Sequence, residues 1–314
     1  MSLPASLKSR LSLPLIAAPM FLVSGPALVK AACRAGVIGA FPTANCRTVE
    51  ELDRWLAEIK AETAGGAPFC PNLIVHRSNP RLAEDLAAVV RANVEMVITS
   101  VGSPEAVMKP LKDAGCLVLA DVASVRHAEK AVAAGVDGLV LLTAGAGGQT
   151  GWVNPFAFVR AVRKFWDGIV VMAGGMSDGQ AIAAAETLGC DLAYMGTKFI
   201  ATRESLAKDE YKAMLVDSRL DDVLLTKAFT GLETNMLRPS IAAAGLDFDD
   251  LPQRGAIDVA KDINAAEREK PNTKRWKDIW SAGHSVSGVA DVPSVAELIE
   301  RTKAEYDAAS VQRV

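Results

Sequence analysis

The sequence predicts an α/β protein of the (β/α)8 or TIM-barrel class, with an added C-terminal helical segment packing by the barrel mouth. Three observations predict it. Short apolar runs alternate with amphipathic stretches along the first 200 residues. The amphipathic stretches end in glycine. A phrase recurs at the start of two runs, "GVDGLVLL" at 135–142 and "GCDLAYMG" at 189–196. Eight strand–helix units within about 200 residues suit a closed barrel. A doubly wound open sheet is the structural alternative.

In chain order the runs are "PLIAAP" (14–19), "VIGA" (37–40), "FCPNLIV" (69–75), "EMVITS" (95–100), "CLVLAD" (116–121), "GLVLLT" (138–143), "GIVVMA" (168–173) and "LAYMG" (192–196). None alternates apolar with polar, so each reads as a strand covered on both faces, as in parallel sheets. Between them, "SVRHAEKAVAAG" and "SDGQAIAAAETLG" read as helices stopped by a left-handed glycine. After Thr202 the pattern loosens, so 1–202 is expected to be the barrel. Residues 203–290, including the polar stretch "FDDLPQRGAIDVAKDINAAEREKPNTKRW", are expected to form a helical insertion on the substrate side. Residues 291–314 carry a final amphipathic helix, apolar at Val295, Leu298, Ile299 and Tyr306.

Composition excludes several classes. The 314-residue chain is 50% hydrophobic, with a net charge of −3 and no basic stripe, which argues against a nucleic-acid partner. Five scattered cysteines, with no CxxC spacing, suggest neither a disulfide framework nor a metal site and fit a cytoplasmic protein. The run from Leu11 to Val23 after Lys8 and Arg10 loosely mimics a signal peptide, but Pro14 and Pro19 interrupt it. No stretch reaches the ~20 apolar residues of a membrane span. An oligomer is possible.

The chemistry of a barrel lies at the carboxyl ends of its strands, often with a phosphate in the loops after strands seven and eight. There the sequence has "AGGMSDG" (173–179) and "MGTKF" (195–199). Gly174, Gly175 and Gly196 let backbone N–H groups approach an anion. Thr197 adds a hydroxyl, and a helix starting at Ser177 or Asp178 would turn its positive end toward the anion. Ordinary turn glycines are the alternative. The loop "TAGAGGQTG" (143–151) faces the same mouth. Its glycines suit a flat ligand or a closing loop, or else a flexible surface turn. Ala18, Pro19 and Met20 follow the first strand. Asn72 is polar inside an apolar strand and needs a partner in the core or on a ligand, and Asp121 closes the fifth strand; both are candidates for binding a cofactor. His76 follows the third strand and His284 lies among small residues late in the chain. Both are candidates for the site, or merely a loop histidine and a buried hydrogen-bonding one. His127 lies on an outer helix and reads as structural.

"PLIAAPM", "PNL", "AGAGGQTG", "VVMAGGMSDG", "YMGTKF" with "ATRES", and "IWSAGHSVSG" together resemble, in order and across residues 13–290, the nitronate monooxygenase (2-nitropropane dioxygenase) family. The resemblance implies an FMN-containing (β/α)8 barrel that oxidises alkyl nitronates. Relatives in the family reduce quinones or enoyl substrates with NAD(P)H. It implies that the Ala18–Met20 backbone touches the flavin ring, that Asn72 bonds its pyrimidine side or ribityl chain, and that Gly147 and Gly148 line the ring or ribityl region. Gly174, Gly175, Gly196 and Thr197 would hold the phosphate. Where the family has Ala-Gly-Gly-His with a catalytic histidine, this chain has Gln149, and where the family often has Ala-Gly-Gln it has His284. A carboxamide abstracts no proton but can hydrogen-bond an oxygen. Gln149, His284 and His76 are therefore the catalytic candidates, acting on a small-molecule substrate. A phosphate-binding aldolase, isomerase or nucleotide dehydrogenase, or a non-catalytic binding protein, would be colourless where a flavoprotein is not.

Overall fold

The computed structural model describes residues 3–251 and 279–311. Its strands are β1 (Leu15–Ala17), β2 (Ile38–Pro42), β3 (Phe69–Ile74), β4 (Met96–Ser100), β5 (Leu117–Val122), β6 (Gly138–Leu142), β7 (Gly148–Gln149), β8 (Ile169–Ala173), β9 (Leu192–Met195), β10 (Val223–Thr226) and β11 (Thr234–Leu237). Eight of them close a parallel barrel in the order β1-β2-β3-β4-β5-β6-β8-β9, with β9 pairing back onto β1 through Leu15↔Ala193 and Ala17↔Met195. All eight expected strands are present, and the open-sheet alternative is excluded by that last pairing.

Both faces of the strands are covered, which is why the runs do not alternate. One set of side chains fills the barrel interior: Ile16, Ile38, Cys70, Met96, Ile98, Leu119, Val140, Val171 and Leu192. The other set, such as Val97, Val118, Leu139 and Val170, packs beneath the helices. The repeated Gly-x-Asp phrase has a structural reason. Asp137 accepts the Val118 N–H at 2.7 Å, and Asp191 accepts the Val170 N–H at 2.9 Å and Arg163 Nη2 at 2.6 Å. Each carboxylate thus fixes the starting end of a neighbouring strand. The helix ends follow local rules. Ser124, Asn154 and Asp178 cap the helices Val125–Ala133, Pro155–Val162 and Gly179–Leu188 with side-chain acceptors. Gly135 and Gly189 stop two of them at φ +90° and +115°.

Two features differ from the sequence expectation. The outer ring is not complete by residue 202. Its closing helix is Val295–Val311, which packs on Gly179–Leu188: Tyr306 Oη donates to Glu186 Oε2 at 2.6 Å and the Gly179 N–H donates to Glu305 Oε2 at 2.9 Å. The chain leaves the barrel after β9, crosses the mouth and returns. Nor is the excursion purely helical. It has the helices Asp209–Asp217 and Arg238–Ala243, but β10 and β11 form a hairpin that β7 extends into a three-stranded antiparallel sheet. "VLLT" carries no clean alternation because Leu225 is exposed, and the hairpin's partner β7 lies in the distant glycine loop. Most of the polar stretch read as part of the insertion, residues 252–278, lies outside the described residues.

Candidate active site

The interior side chains change character along the strands. Cys70, Ile98, Leu119 and Leu192 point inward from β3, β4, β5 and β9. Two residues further on, on the same face, stand Asn72, Ser100, Asp121 and Tyr194. These four form the polar floor of a cavity of about 350 Å³ at the carboxyl ends of the strands. Asn72 finds its partners in the neighbouring strand: Nδ2 donates to the Ile98 carbonyl at 3.3 Å and to Ser100 Oγ at 3.1 Å, while Oδ1 lies 3.3 Å from that hydroxyl. The amide is therefore held rigid while it faces the cavity.

Loops build the walls. After β1, Ser24 Oγ accepts the Met20 N–H at 3.0 Å and donates to the Ala18 carbonyl at 3.2 Å. Asn45 reaches over to accept the Leu22 N–H at 2.9 Å and to donate to the Met20 and Ser24 carbonyls. That clamp keeps Leu22 at φ +60°, and Val101 after β4 sits at +58°. Both line the cavity. Left-handed backbone at a branched residue costs of order 1–3 kcal/mol and persists where the surroundings over-determine it.

The glycines after β6 serve two ends. Gly145, Gly147 and Gly148 line the cavity, and they also let the loop lie against the segment 282–284. A Cβ on Gly147 would come 2.7 Å from Gly283 N, and His284 N–H donates to the Gly145 carbonyl at 2.9 Å. The loop is thus pinned, not loose. Gln149 lines the cavity from β7 and pairs with Thr234.

Gly174, Gly175, Gly196 and Thr197 come together on the adjoining wall. Gly174 at φ +117° is close-packed, since a Cβ there would meet Thr143 Oγ1 at 2.5 Å. The N–H groups of Gly174, Gly175, Gly196 and Thr197 make no hydrogen bond among the described residues. Thr197 Oγ1 is buried and accepts the Gly283 N–H at 2.9 Å, which leaves its own proton to donate into the cavity. The expected helix end, however, is taken. Asp178 Oδ1 accepts the Ala181 N–H at 2.8 Å, Glu305 accepts that of Gly179, and neither Ser177 nor Asp178 reaches the cavity. Two carboxylates already complement that helix end, so any anion is held by the turns. Asp178→Ala is expected to lower stability by about 1 kcal/mol in urea unfolding while leaving ligand affinity unchanged.

The two histidines do not join the cavity wall. His76 turns aside, with Nδ1 2.7 Å from Ser78 Oγ. His284 is exposed on the outer side of the Gly145 loop, where its ring packs on the Gly145 Cα. The single carboxyl among the described cavity residues is Asp121. Burial pushes it up to about 7, and its Oδ1 has no hydrogen-bond partner. Burial also raises the Tyr194 phenol and the Cys70 thiol well above their usual values. The floor is therefore close to uncharged below neutral pH, which suits an electron-rich ring or an anion.

Sequence reading missed the upper wall. Tyr211 and Trp280 stack with ring centres 5.0 Å apart, and Tyr211 Oη donates to the Ser281 carbonyl at 2.5 Å. Leu22, Leu206, Lys208 and Leu232 complete the rim. Apart from Leu22 in the loop after β1, these residues come from the irregular excursion, where no strand periodicity marks what points inward.

No helix among the described residues is long and apolar enough to cross a membrane, and no group of three or more potential metal ligands occurs among them. All five cysteines are buried and unpaired. The family model for nitronate monooxygenase matches residues 78–305. A nitronate monooxygenase of Paraburkholderia phytofirmans is 29% identical, covering 93% of this chain and 92% of its own. A (3aS,4S,5R,7aS)-5-hydroxy-7a-methyl-1-oxo-octahydro-1H-indene-4-carboxyl-CoA dehydrogenase of Rhodococcus jostii is 27% identical over 88% of this chain and 76% of its own. Among solved structures, FabK of Thermotoga maritima superposes with a TM-score of 0.82 at 25% identity, covering 98% of this chain and 96% of that one. A nitroalkane oxidase of Streptomyces ansochromogenes gives 0.79 at 25% identity, with 99% and 100% covered. With its barrel, its glycine-walled cavity and a family match over most of its length, the chain is an oxidoreductase that belongs to the nitronate monooxygenase family.

Proposed function

We propose that this protein is an FMN-dependent oxidoreductase that oxidises alkyl nitronates with O2. The observation that carries the reading is the identity of the polar groups on the cavity wall: an amide at Gln149 stands where proton abstraction would need a base, and both histidines lie elsewhere. A nitronate has already lost its α-proton, so it needs an oxygen-binding donor and no base; the Gln149 carboxamide supplies such a donor. When bound, FMN would supply the electron-transfer chemistry between the nitronate and O2. Residues that fit the group are at hand. The four free N–H groups of the Gly174–Gly175 and Gly196–Thr197 turns and the Thr197 hydroxyl would hold a phosphate. The Ala18–Met20 backbone, Asn72, Gly147 and Gly148 would face the ring and ribityl chain. The 203–290 excursion would then bear on substrate choice.

The test is a visible spectrum of the purified protein, followed by turnover of a nitronate and of its neutral nitroalkane. A flavin band with turnover restricted to the nitronate is expected; equal turnover of both would refute the role given to Gln149. Gln149→Ala should retain FMN and lose roughly 10- to 100-fold in kcat/KM, the usual range for a hydrogen bond to a charged group.

The stacked Tyr211–Trp280 pair and the apolar rim favour one other reading, an NAD(P)H-dependent reductase of quinone or enoyl substrates on the same barrel. Rapid anaerobic bleaching by NADH or NADPH would select it.

A further inference from the structure

The proposed reaction makes no use of Asp121, yet this side chain is placed with care. It lies on the inward face of β5, beyond Leu119, with Asn72, Ser100 and Tyr194 around the same ring of positions. Its Oδ1 is shut off from solvent and receives no donor, while the residue lines the cavity. An ionised carboxylate in that position would lack the two or three donors that normally stabilise one. Burial alone accounts for its displacement to about 7. The other titratable groups facing it are Cys70 from β3 and Tyr194 from β9, both raised well above their usual values and hence neutral across the same range. β4 contributes Ser100, and β6 contributes Val140 and Leu142, with no titratable group. Lys208, the one lysine lining the cavity, stands at the rim.

We propose that Asp121 is a neutral carboxylic acid that donates a hydrogen bond from the cavity floor to the bound flavin, and that it tunes the flavin's reduction potential by keeping or gaining its proton when electrons arrive. This rests on the flavin reading. The proton balance differs across pH. While Asp121 is already protonated, two electrons and one proton enter the flavin and the carboxyl gains nothing. Once Asp121 is ionised, the same two electrons arrive with two protons, one to the flavin and one to the Asp121 carboxylate, because added negative charge above the floor makes the ionised form less favourable still.

The experiment is a dithionite titration of the FMN-loaded protein against reference dyes from pH 6 to 9, for wild type and Asp121→Asn. In a two-electron couple each proton taken up contributes about 30 mV per pH unit. The wild-type potential is expected to fall by about 30 mV per unit below pH 7 and to steepen toward about 60 mV per unit above it. Asp121→Asn, neutral at every pH and still a donor, is expected to keep the shallow slope throughout and to lie above wild type at pH 9. An infrared band of a protonated carboxyl, present in wild type at pH 6 and absent in Asp121→Asn, is the companion signal. If the variant does not fold, the wild-type break in slope and its pH-dependent band decide the matter alone. Flavin-loaded proteins with parallel slopes, or a wild type with no break, overturn the inference and leave the flavin reading standing. A protein that takes up no FMN overturns both.

Discussion

Asp121→Asn is expected to stabilise the flavin-free protein by about 2–4 kcal/mol at pH 8 and to leave it nearly unchanged at pH 4. The unfolded carboxyl releases its proton near the ordinary value of about 3.9, whereas in the folded protein burial holds it to about 7. Between those values the folded protein carries a proton that the unfolded chain has lost. Wild-type stability must therefore decline as pH rises through that window and level off above it, because charging the buried group opposes folding. Three pH units at about 1.4 kcal/mol each set an upper limit near 4 kcal/mol, and relaxation of the cavity lowers it. Urea unfolding of both proteins at pH 4 and pH 8 measures the difference. An equal increment at the two pH values would mean that the carboxyl is not raised.

Gly179→Ala should cost about 3 kcal/mol or more, although it adds a single methyl. A Cβ at that position would lie 2.1 Å from Tyr306 N and 2.3 Å from the Thr302 carbonyl, both backbone atoms of the closing helix. No rotamer relieves such a contact; the two helices must separate along their length, breaking the bonds from Tyr306 to Glu186 and from Gly179 to Glu305. A useful control is Gly115→Ala, whose Cβ meets nothing within 4 Å and which bears only the strain of its φ of +73°; about 1 kcal/mol is expected there. Thermal melts that shift equally for the two variants would show that the helix contact is not so tight.

The barrel was legible because its strands are covered on both faces, and eight such runs leave few other architectures. The floor was legible in part. Asn72 and Asp121 stand out as polar residues among apolar neighbours, but Ser100 and Tyr194 do not, since serine at a strand end and tyrosine in a strand are unremarkable choices. The phosphate-suited turns were visible as glycine pairs, yet the helix expected to assist them is capped by Asp178 and Glu305; the second of these lies 126 residues from the group it binds, a pairing no local pattern announces. His76 and His284 were plausible by chain position alone. Their side-chain directions are set by Ser78 and by the packing of the Gly145 loop, which are tertiary facts. The β10–β11 hairpin was hidden for the same reason: β11 pairs with Gly148 and Gln149 of a distant glycine loop, a partner its own sequence does not announce.

The excursion leaves from β9 and returns at the helix Val295–Val311, which packs on Gly179–Leu188, the helix that leads into β9. Its length is therefore only weakly penalised: doubling a loop costs roughly 0.6 kcal/mol in closure entropy. This stretch can be lengthened, shortened or replaced while the strands beneath keep their pairing, provided that the Gly283 approach to Gly147 and Thr197 is kept. Changes at the rim can thus be confined to one exchangeable segment, while the pairing of the strands below it stays the same.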